Sequence, residues 1–577
     1  MLLTTTTATI TTVHTGTFIG APVNFTKPKT RSKKDVPNDL DWKRMLKTAL
    51  REDVITAWNK EIDDLVSRGH MYELFPDHAE WVEAHKHKTS GRAILAQKRS
   101  GLLKARIVRR GFMDDNDPNE VTYTNLVRWV ETRLLLSTPH DDDDMLASID
   151  FAVAYSQGDP IPADKQVYLH FNDPISARLR YFRQLLHLYG GGTRAGANWE
   201  ETLVRELLLI GFTRSDNAPA TFIMKGCTLI SYVDDTILKG NTTIVMNVIA
   251  KLQKRFIVKH VLILTETTPI DFLGCGIYMK NKRIYMCMST YIEKAIEDLK
   301  LDALRYVRSP MVGDIEDNEL VDDKLKAWYY SSVGCLGWLC FTTRPDIRHT
   351  FTRLSHWLSK PTVSAVKACV RVWAYLTHSK YWSLSSDISF YKHSKDQRWQ
   401  VFSDSDYCGN SEAGWNRAAM LGTIALHNGM HVLYRSGKCT TAYANEQLLP
   451  GHANLSVAVA EIYGLSETST RTLGLSYVAD EMGYTMNKPI VIQGDNAASI
   501  VFHKGTAKKS TLVQIDARLK WVKHLRDQDV FDVVYVRSED NLADLFTKIL
   551  GPNKFEDMRS RIMRELPSEL RLLSLQG

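Results

Sequence analysis

Two sets of carboxylates stand where acids could act on phosphodiesters. In the first, Asp150 ends a short apolar run (145–151), and Asp234-Asp235 lie between the two apolar runs of 227–238. The second set is Asp404, Glu461, Asp495 and Asp544, drawn from four separate segments. Two Mg²⁺ ions roughly 4 Å apart can activate an attacking oxygen and stabilise the leaving one. Mg²⁺ takes hard oxygen ligands and needs only one or two carboxylates beside the phosphates. Four acids forced together would repel one another until a divalent cation relieved them. The bland reading stands beside this one. Most Asp-Asp pairs are exposed turns, and the other four are among 66 acidic residues, mostly solvated.

The elements that must position these groups follow from periodicity. Residues 145–151 read as a strand ending at Asp150, and 227–238 as a hairpin with carboxylates at its tip. The stretch 41–68 has helical period, with Trp42, Met45, Leu46, Ala49, Trp58, Ile62 and Leu65 on its apolar face. Lys98 to Arg110 holds six bases and no acid, and its middle alternates like a strand. Helices are expected at 346–358 and 365–376, joined around Pro361. The polar stretch 391–397 reads as a domain boundary. Beyond it, strand 399–403 ends at Asp404, and Asn428-Gly429 gives a hairpin signal between 422–426 and 431–435. Helix 455–473 carries Glu461, strand 490–493 leads to Asp495, helix 511–526 precedes strand 531–536, and a last helix starts near Asn541.

Bulk properties bound the class. The 577 residues allow roughly three to four domains. An apolar share of 44% excludes a wholly disordered chain. No apolar run reaches the length of a membrane span, and the N-terminus lacks the pattern of a secretion signal. Eight cysteines without a CxxC pair argue against zinc fingers and a disulfide framework, and for a reducing compartment. The net charge is +7, yet the first 34 residues hold five bases and no acid, so the rest carries only +2. Residues 1–38 read as a disordered basic tail, a nucleic-acid or nuclear-localisation arm being the alternative.

Several words in this sequence, in order, resemble one family. Ser231-Tyr232-Val233-Asp234-Asp235 resembles the YxDD box of reverse transcriptases. Asp150-Phe151-Ala152-Val153-Ala154-Tyr155 resembles its companion, an Asp followed five positions later by an aromatic. Lys104 to Phe112 is similar to the KARLVxKGF segment of Ty1/copia-type retrotransposon polymerases. Leu188-Tyr189-Gly190 with Trp199, Phe272-Leu273-Gly274 and Thr343-Arg344-Pro345-Asp346-Ile347 resemble further segments of that family. Four later words, around Asp404, Glu461, Asp495 and Asp544, resemble the boxes of its ribonuclease H. The resemblance runs from about Trp42 to Leu550.

The resemblance implies a mixed α/β (α+β) chain with a right-hand polymerase fold followed by a ribonuclease H-like mixed-sheet domain. The implied division is fingers and palm at 39–305, thumb and connection at 306–395, and nuclease at 396–577. It implies an RNA-directed DNA polymerase coupled to cleavage of RNA in RNA–DNA hybrids. Asp150, Asp234 and Asp235 would form one site, with Asp150 and Asp234 as metal ligands. Tyr155 would gate the sugar, and Lys104, Arg106 and Arg194 would contact the nucleotide. Asp404, Glu461, Asp495 and Asp544 would hold metal in the nuclease. Each site would take two Mg²⁺, Mn²⁺ being an alternative. The implied partners are RNA template, DNA primer, hybrid and dNTPs, and separate integrase or capsid proteins of an element, with no membrane. The implied place is the cytoplasm or a virus-like particle, the nucleus being the alternative.

The sequence departs from the family pattern in places. Gly191-Gly192-Thr193-Arg194 replaces the family's Lys-Gln after Leu-Tyr-Gly, with one extra residue before Trp199. Tyr155-Ser156-Gln157-Gly158 stands for Phe-Leu-Asn-Gly, and Gln514-Ile515-Asp516 for His-Ile-Asp. The finger region before Lys104 is short. Two further readings therefore stand beside the active enzyme. One is a catalytically decayed or domesticated nucleic-acid-binding remnant; the other is a ribonuclease H with a disabled polymerase module.

Overall fold

A six-stranded sheet holds the first carboxylates, in the order Val258–Ile263, Asp144–Phe151, Asp235–Asn241, Cys227–Tyr232, Thr221–Met224, Thr213–Arg214. The computed structural model describes residues 40–97, 102–111, 122–162, 165, 167–188, 192, 194–316, 318–387, 399–406, 420–438, 457–497, 500, 504 and 516–573. The expected tail, the boundary stretch 391–397, the bases Lys98 and Arg99, and Gln514 and Ile515 lie outside them. The central strands are apolar because both sheet faces are covered. Leu229 and Leu238 face helices Ala195–Ile210 and Thr242–Arg255, which supply Trp199, Leu203, Val245 and Ile249. Ile230 and Ile237 face helix Trp129–Ser137 through Leu134, Leu135 and Leu136. These strand residues are fully buried. Each such side chain contributes about 1.5–3 kcal/mol relative to exposure.

A five-stranded sheet, in the order Met71–Leu74, Leu179–Gln184, Val167–Asn172, Lys88–Gln97, Leu103–Arg109, carries the basic strip. Its last strand alternates as expected. Leu103, Ala105 and Ile107 are buried, while Lys104 and Arg106 share the opposite, half-buried face. Helix Arg51–Ser67 packs on the buried side through Trp58, Ile62 and Leu65. The single helix expected over 41–68 is two, Trp42–Met45 and Arg51–Ser67. Thr48 explains the break: its hydroxyl donates to the Met45 carbonyl at 2.7 Å and accepts from the Leu50 N–H at 3.2 Å. Such bonds compete with the helical ladder.

The C-terminal sheet has the order Met430–Lys438, Met420–His427, Trp399–Asp406, Ile490–Gly494, Phe531–Tyr535. The first three strands are antiparallel, and the last two run parallel to Trp399–Asp406. Asn428 and Gly429 both have positive φ, as the expected two-residue turn requires. Helix Val457–Glu481 covers this sheet and runs eight residues past the expected end. No helix among the described residues is long and apolar enough to cross a membrane.

The remaining sheet joins the parts. Its order is Ile270–Phe272, Cys275–Lys280, Arg283–Cys287, Trp382–Asp387, Arg564–Glu565, so it draws strands from both sides of the expected boundaries at 305 and 395. One apolar core runs from Leu134 through helices Asp323–Thr342 and Val363–His378 to Phe555. Buried polar groups pin the seam. Arg133, on helix Trp129–Ser137, donates to the carbonyls of Val432, Phe341 and Thr342 at 2.9–3.0 Å. Asn428 donates to the Ser137 carbonyl at 2.6 Å, and the Lys239 ammonium donates to the Thr138 carbonyl at 2.7 Å. Burial lowers Lys239 to about 7. Arg344 and Asp346, from the Thr343–Ile347 word, form an ion pair with side chains 1% and 0% exposed. That word is architectural: it holds the short turn Pro345–Ile347 against Ser379 and Tyr375.

Candidate active sites

The first site forms because two strands end together. Asp235 lies opposite Asp150 in register, and the Phe151 N–H donates to the Asp234 carbonyl at 3.0 Å. The two-residue turn is Val233-Asp234, so Asp235 begins the returning strand. Val233 takes φ +57° there. A β-branched residue in that region is strained by roughly 1–3 kcal/mol, and the neighbours must hold it. The Trp199 indole does so, donating to the Val233 carbonyl at 2.7 Å.

Burial pushes Asp235 up to about 7, and the charges of Asp234, Asp150 and Asp271 add to it. Burial also raises Asp234, with Asp150 adding, while Arg106 and Lys259 oppose the rise. Sequence reasoning missed Lys259, whose ammonium pairs with the Asp150 carboxylate. It lies on strand Val258–Ile263, beside Asp150. A lysine beside His260 and shortly after Lys254-Arg255 gave no pattern to single it out. Glu61 was also missed. It accepts from the Ile107 N–H at 3.2 Å, and Lys104 and Arg106 both act on its charge. The charge of Arg106 therefore acts on both Glu61 and Asp234, and that of Lys104 on Glu61.

Tyr155 lies on the short turn Ala154–Gln157. A Cβ at Gly196 would sit 4.0 Å from its ring and 2.4 Å from the Thr124 hydroxyl, so glycine alone lets helix Ala195–Ile210 start this close. Arg194 precedes that helix and pairs with Glu201 at 3.3 Å on the surface. Tyr189, Gly190, Gly191 and Thr193 lie outside the described residues.

The second site gathers three of its four expected acids. Asp404, Glu461 and Asp495 each offer an oxygen within 4.8 Å of the others. Asp404 comes from its strand, Glu461 from the helix that covers it, and Asp495 from the residue after Ile490–Gly494. Burial pushes Glu461 up to about 9, and Asp404 and Asp495 add to the shift. Burial raises Asp404 too, against the pull of Lys548. Close, mutually repelling oxygens, two buried and one half-buried, are the donor set that suits a hard divalent cation.

Asp544 is beside this cluster and engaged elsewhere. Its carboxylate pairs with Lys548 and, at 2.6 Å, with Lys554. Lys548 also lies 3.3 Å from Asp404 Oδ1. Burial would lower the Lys548 pKa, but Asp404 and Asp544 overcome it and raise the pKa. The i,i+4 spacing of Asp544 and Lys548 was the available signal.

Residues 74–313 match the family described as reverse transcriptase (RNA-dependent DNA polymerase). The chain is 24% identical over 494 residues to the retrovirus-related Pol polyprotein from transposon RE1 of Arabidopsis thaliana, covering 84% of this chain and 31% of that protein. It is 22% identical over 544 residues to the corresponding polyprotein from transposon TNT 1-94 of Nicotiana tabacum, covering 89% and 38%. Residues 74–313 thus carry a reverse transcriptase domain, in a chain similar along most of its length to retrotransposon Pol polyproteins. The chain spans about a third of the length of the curated relatives it matches. Among solved structures it is similar to a foamy viral protease-reverse transcriptase in complex with double-stranded DNA. That likeness has TM-score 0.26 and 14% identity, covering 86% of this chain and 72% of that one. It is also similar to LC11-RNase H1, with TM-score 0.19 and 14% identity, covering 26% and 92%.

Proposed function

We propose that this chain extends a DNA primer with dNTPs on an RNA or DNA template and cleaves the RNA strand of the resulting hybrid. The observation that supports it most is the pairing of two carboxylate sites in one chain: Asp150, Asp234 and Asp235 at one sheet end, Asp404, Glu461 and Asp495 at another. In this reading residues 39–305 are fingers and palm, 306–395 thumb and connection, and 396–577 nuclease. RNA template, DNA primer and hybrid are its partners, in the cytoplasm or a virus-like particle, with integrase and capsid supplied separately.

At the polymerase site Asp150 and Asp234 would hold Mg²⁺, or Mn²⁺ in its place, and Asp404, Glu461, Asp495 and Asp544 would do so in the nuclease. Two bound ions supply an activated attacking oxygen and a stabilised leaving oxygen. The chain does the rest. Arg106 and Lys104 draw the triphosphate toward the carboxylate turn, and Arg194 supports it. Tyr155 closes the space beside the sugar against a 2′-hydroxyl. Lys259 holds the Asp150 carboxylate until the substrate's phosphates arrive. Lys548 and Lys554 hold Asp544 ready beside the nuclease cluster.

The test gives purified protein a primed RNA template, dNTPs and Mg²⁺, and follows extension and RNA cleavage. D234N should lose extension and keep cleavage, and D495N the reverse. Cleavage without extension in the wild type would make it a nuclease with a disabled polymerase. Binding with neither activity would make it a remnant.

A further inference from the structure

Lys548 stands where a cation would. Asp544 accepts on both carboxylate oxygens, at Oδ1 from the Lys548 ammonium and at Oδ2 from that of Lys554, 2.6 Å away. Asp404 is filled in the same way. Its Oδ2 accepts from the Thr547 hydroxyl, and its Oδ1 lies 3.3 Å from the Lys548 ammonium. One ammonium thus bridges two carboxylates whose side chains are each 1% exposed. Two buried anions side by side repel, and the bridging charge relieves them as a metal ion would.

The frame around Lys548 is tight. Asp544 lies on the short turn Leu542–Phe546, and Thr547 and Lys548 follow it directly. The Asn541 side chain caps this turn, accepting from the Ala543 N–H at 3.2 Å, and donates to the Ser403 carbonyl at 3.1 Å, next to Asp404. Gly422 faces Asp404 across the strand pair. A Cβ there would sit 2.8 Å from both the Ala543 carbonyl oxygen and the Thr547 methyl, so glycine lets the turn lie on the strands. The Lys548 N–H donates to the Asp544 carbonyl at 3.0 Å, which fixes where its stem begins. Only the far end of the side chain is open to solvent, and it is 36% exposed.

This placement bears on the other acids. Asp404, Glu461 and Asp495 share one set of oxygens, and Asp544 joins Asp404 only through Lys548. A divalent ion bridging Asp404 and Asp544 would need the place the ammonium fills, and two cations cannot share it. We propose that Lys548 is a built-in cation that keeps this site at one divalent ion in the resting protein, a reading that rests on the nuclease half of the function proposed above. The first ion goes to Asp404, Glu461 and Asp495. The Asp404–Asp544 position opens when the ammonium swings out to solvent or to a passing anion. Its flexible stem allows this without unfolding the turn, as a paired guanidinium would not. Lys554 keeps Asp544 aimed at the site meanwhile.

The test titrates Mn²⁺ into the full chain carrying D150N/D234N, which removes the polymerase position, with no nucleic acid present. Electron paramagnetic resonance counts the bound ions, and two ions roughly 4 Å apart give a spin-coupled signal. The parent should bind one ion with no coupled signal. K548Q and K548M should each bind a second ion about tenfold or more tightly than the parent does and show the coupled signal. K548R, which keeps the charge, should behave as the parent. K548Q/D544N should return to one ion, which would place the gained ion on Asp544. A coupled pair already present in the parent would overturn the proposal. So would K548Q or K548M holding one ion while melting within about 2 °C of the parent. If no bound ion depends on Asp495 and hybrid RNA is not cleaved, the nuclease reading falls and this inference with it. If the parent binds one ion and cleaves, and the Lys548 variants gain nothing, only this inference falls.

Discussion

Replacing Asp346 by Asn should damage the fold and leave the chemistry of any surviving protein intact. Arg344 donates to the two Asp346 oxygens at 2.9 and 2.7 Å, and to the Ser379 carbonyl and hydroxyl at 3.0 and 2.9 Å. D346N keeps the shape but leaves the guanidinium buried without its counter-charge. Breaking a buried pair in this way costs about 3–5 kcal/mol. For a cooperative unit of a few hundred residues that is a fall in melting temperature of about 10 °C. Thermal unfolding followed by circular dichroism reads it directly. The pH dependence has a definite sign. Arg344 holds Asp346 below its usual range even though burial pushes the other way. A depressed carboxyl stabilises the fold above its unfolded pKa, about 3.9, and that contribution fades as pH falls through the folded value. The gap between wild type and D346N should therefore persist from neutral pH to about pH 4 and close below it. The double variant R344M/D346L should melt higher than either single one, because an apolar pair removes the buried charge altogether. A D346N protein that melts within about 2 °C of wild type yet loses extension would refute the argument and place Asp346 in the chemistry.

Three further outcomes follow from the carboxylate sites. Metal affinity of the nuclease cluster, measured by calorimetry, should strengthen up to about pH 9 with proton release, because Glu461 is pushed up to about 9 and must give up its proton; pH-independent affinity would contradict this. In chelator, D235N should stabilise the fold increasingly from about pH 4 to pH 7 and by a constant amount above, since a carboxyl raised to about 7 penalises folding once it ionises; a melting temperature unchanged at pH 8 would oppose it. K259M should raise the pKa of Asp234 and Asp235, which Lys259 now lowers, and shift the acid limb of the extension profile to higher pH; an unmoved limb would show that Lys259 acts only as a surface charge.

The carboxylates were legible because their strands were. Apolar runs that stop at an acid mark sheet ends, and sheet ends converge when strands pair, as Asp150 and Asp235 do. The cluster of Asp404, Glu461 and Asp495 was legible for the same reason, through Asp404 and Asp495. The supporting cations were not. Lys259 reaches Asp150 only through the pairing of strand Val258–Ile263, which no local pattern encodes. Arg133 drew no expectation from the sequence and is a buried cross-brace. The Thr343–Ile347 word was readable as family text, yet its physical task, a buried ion pair, needed coordinates. Helix 41–68 failed at Thr48, where a side-chain hydroxyl competes with the backbone.

The strand Arg564–Glu565 has a consequence for how the protein is made. It pairs with Trp382–Asp387, which pairs with Arg283–Cys287. A chain emerging from the ribosome N-terminus first therefore exposes two open sheet edges in turn. The Arg283–Cys287 edge waits about a hundred residues for its neighbour, and the next edge waits almost twice as long. At roughly 5–20 residues per second these are waits on the order of ten seconds each. Translation speed and chaperone supply, rather than final stability, should then set the yield of native protein, and slowing synthesis should lengthen the time during which two such nascent chains can pair with each other.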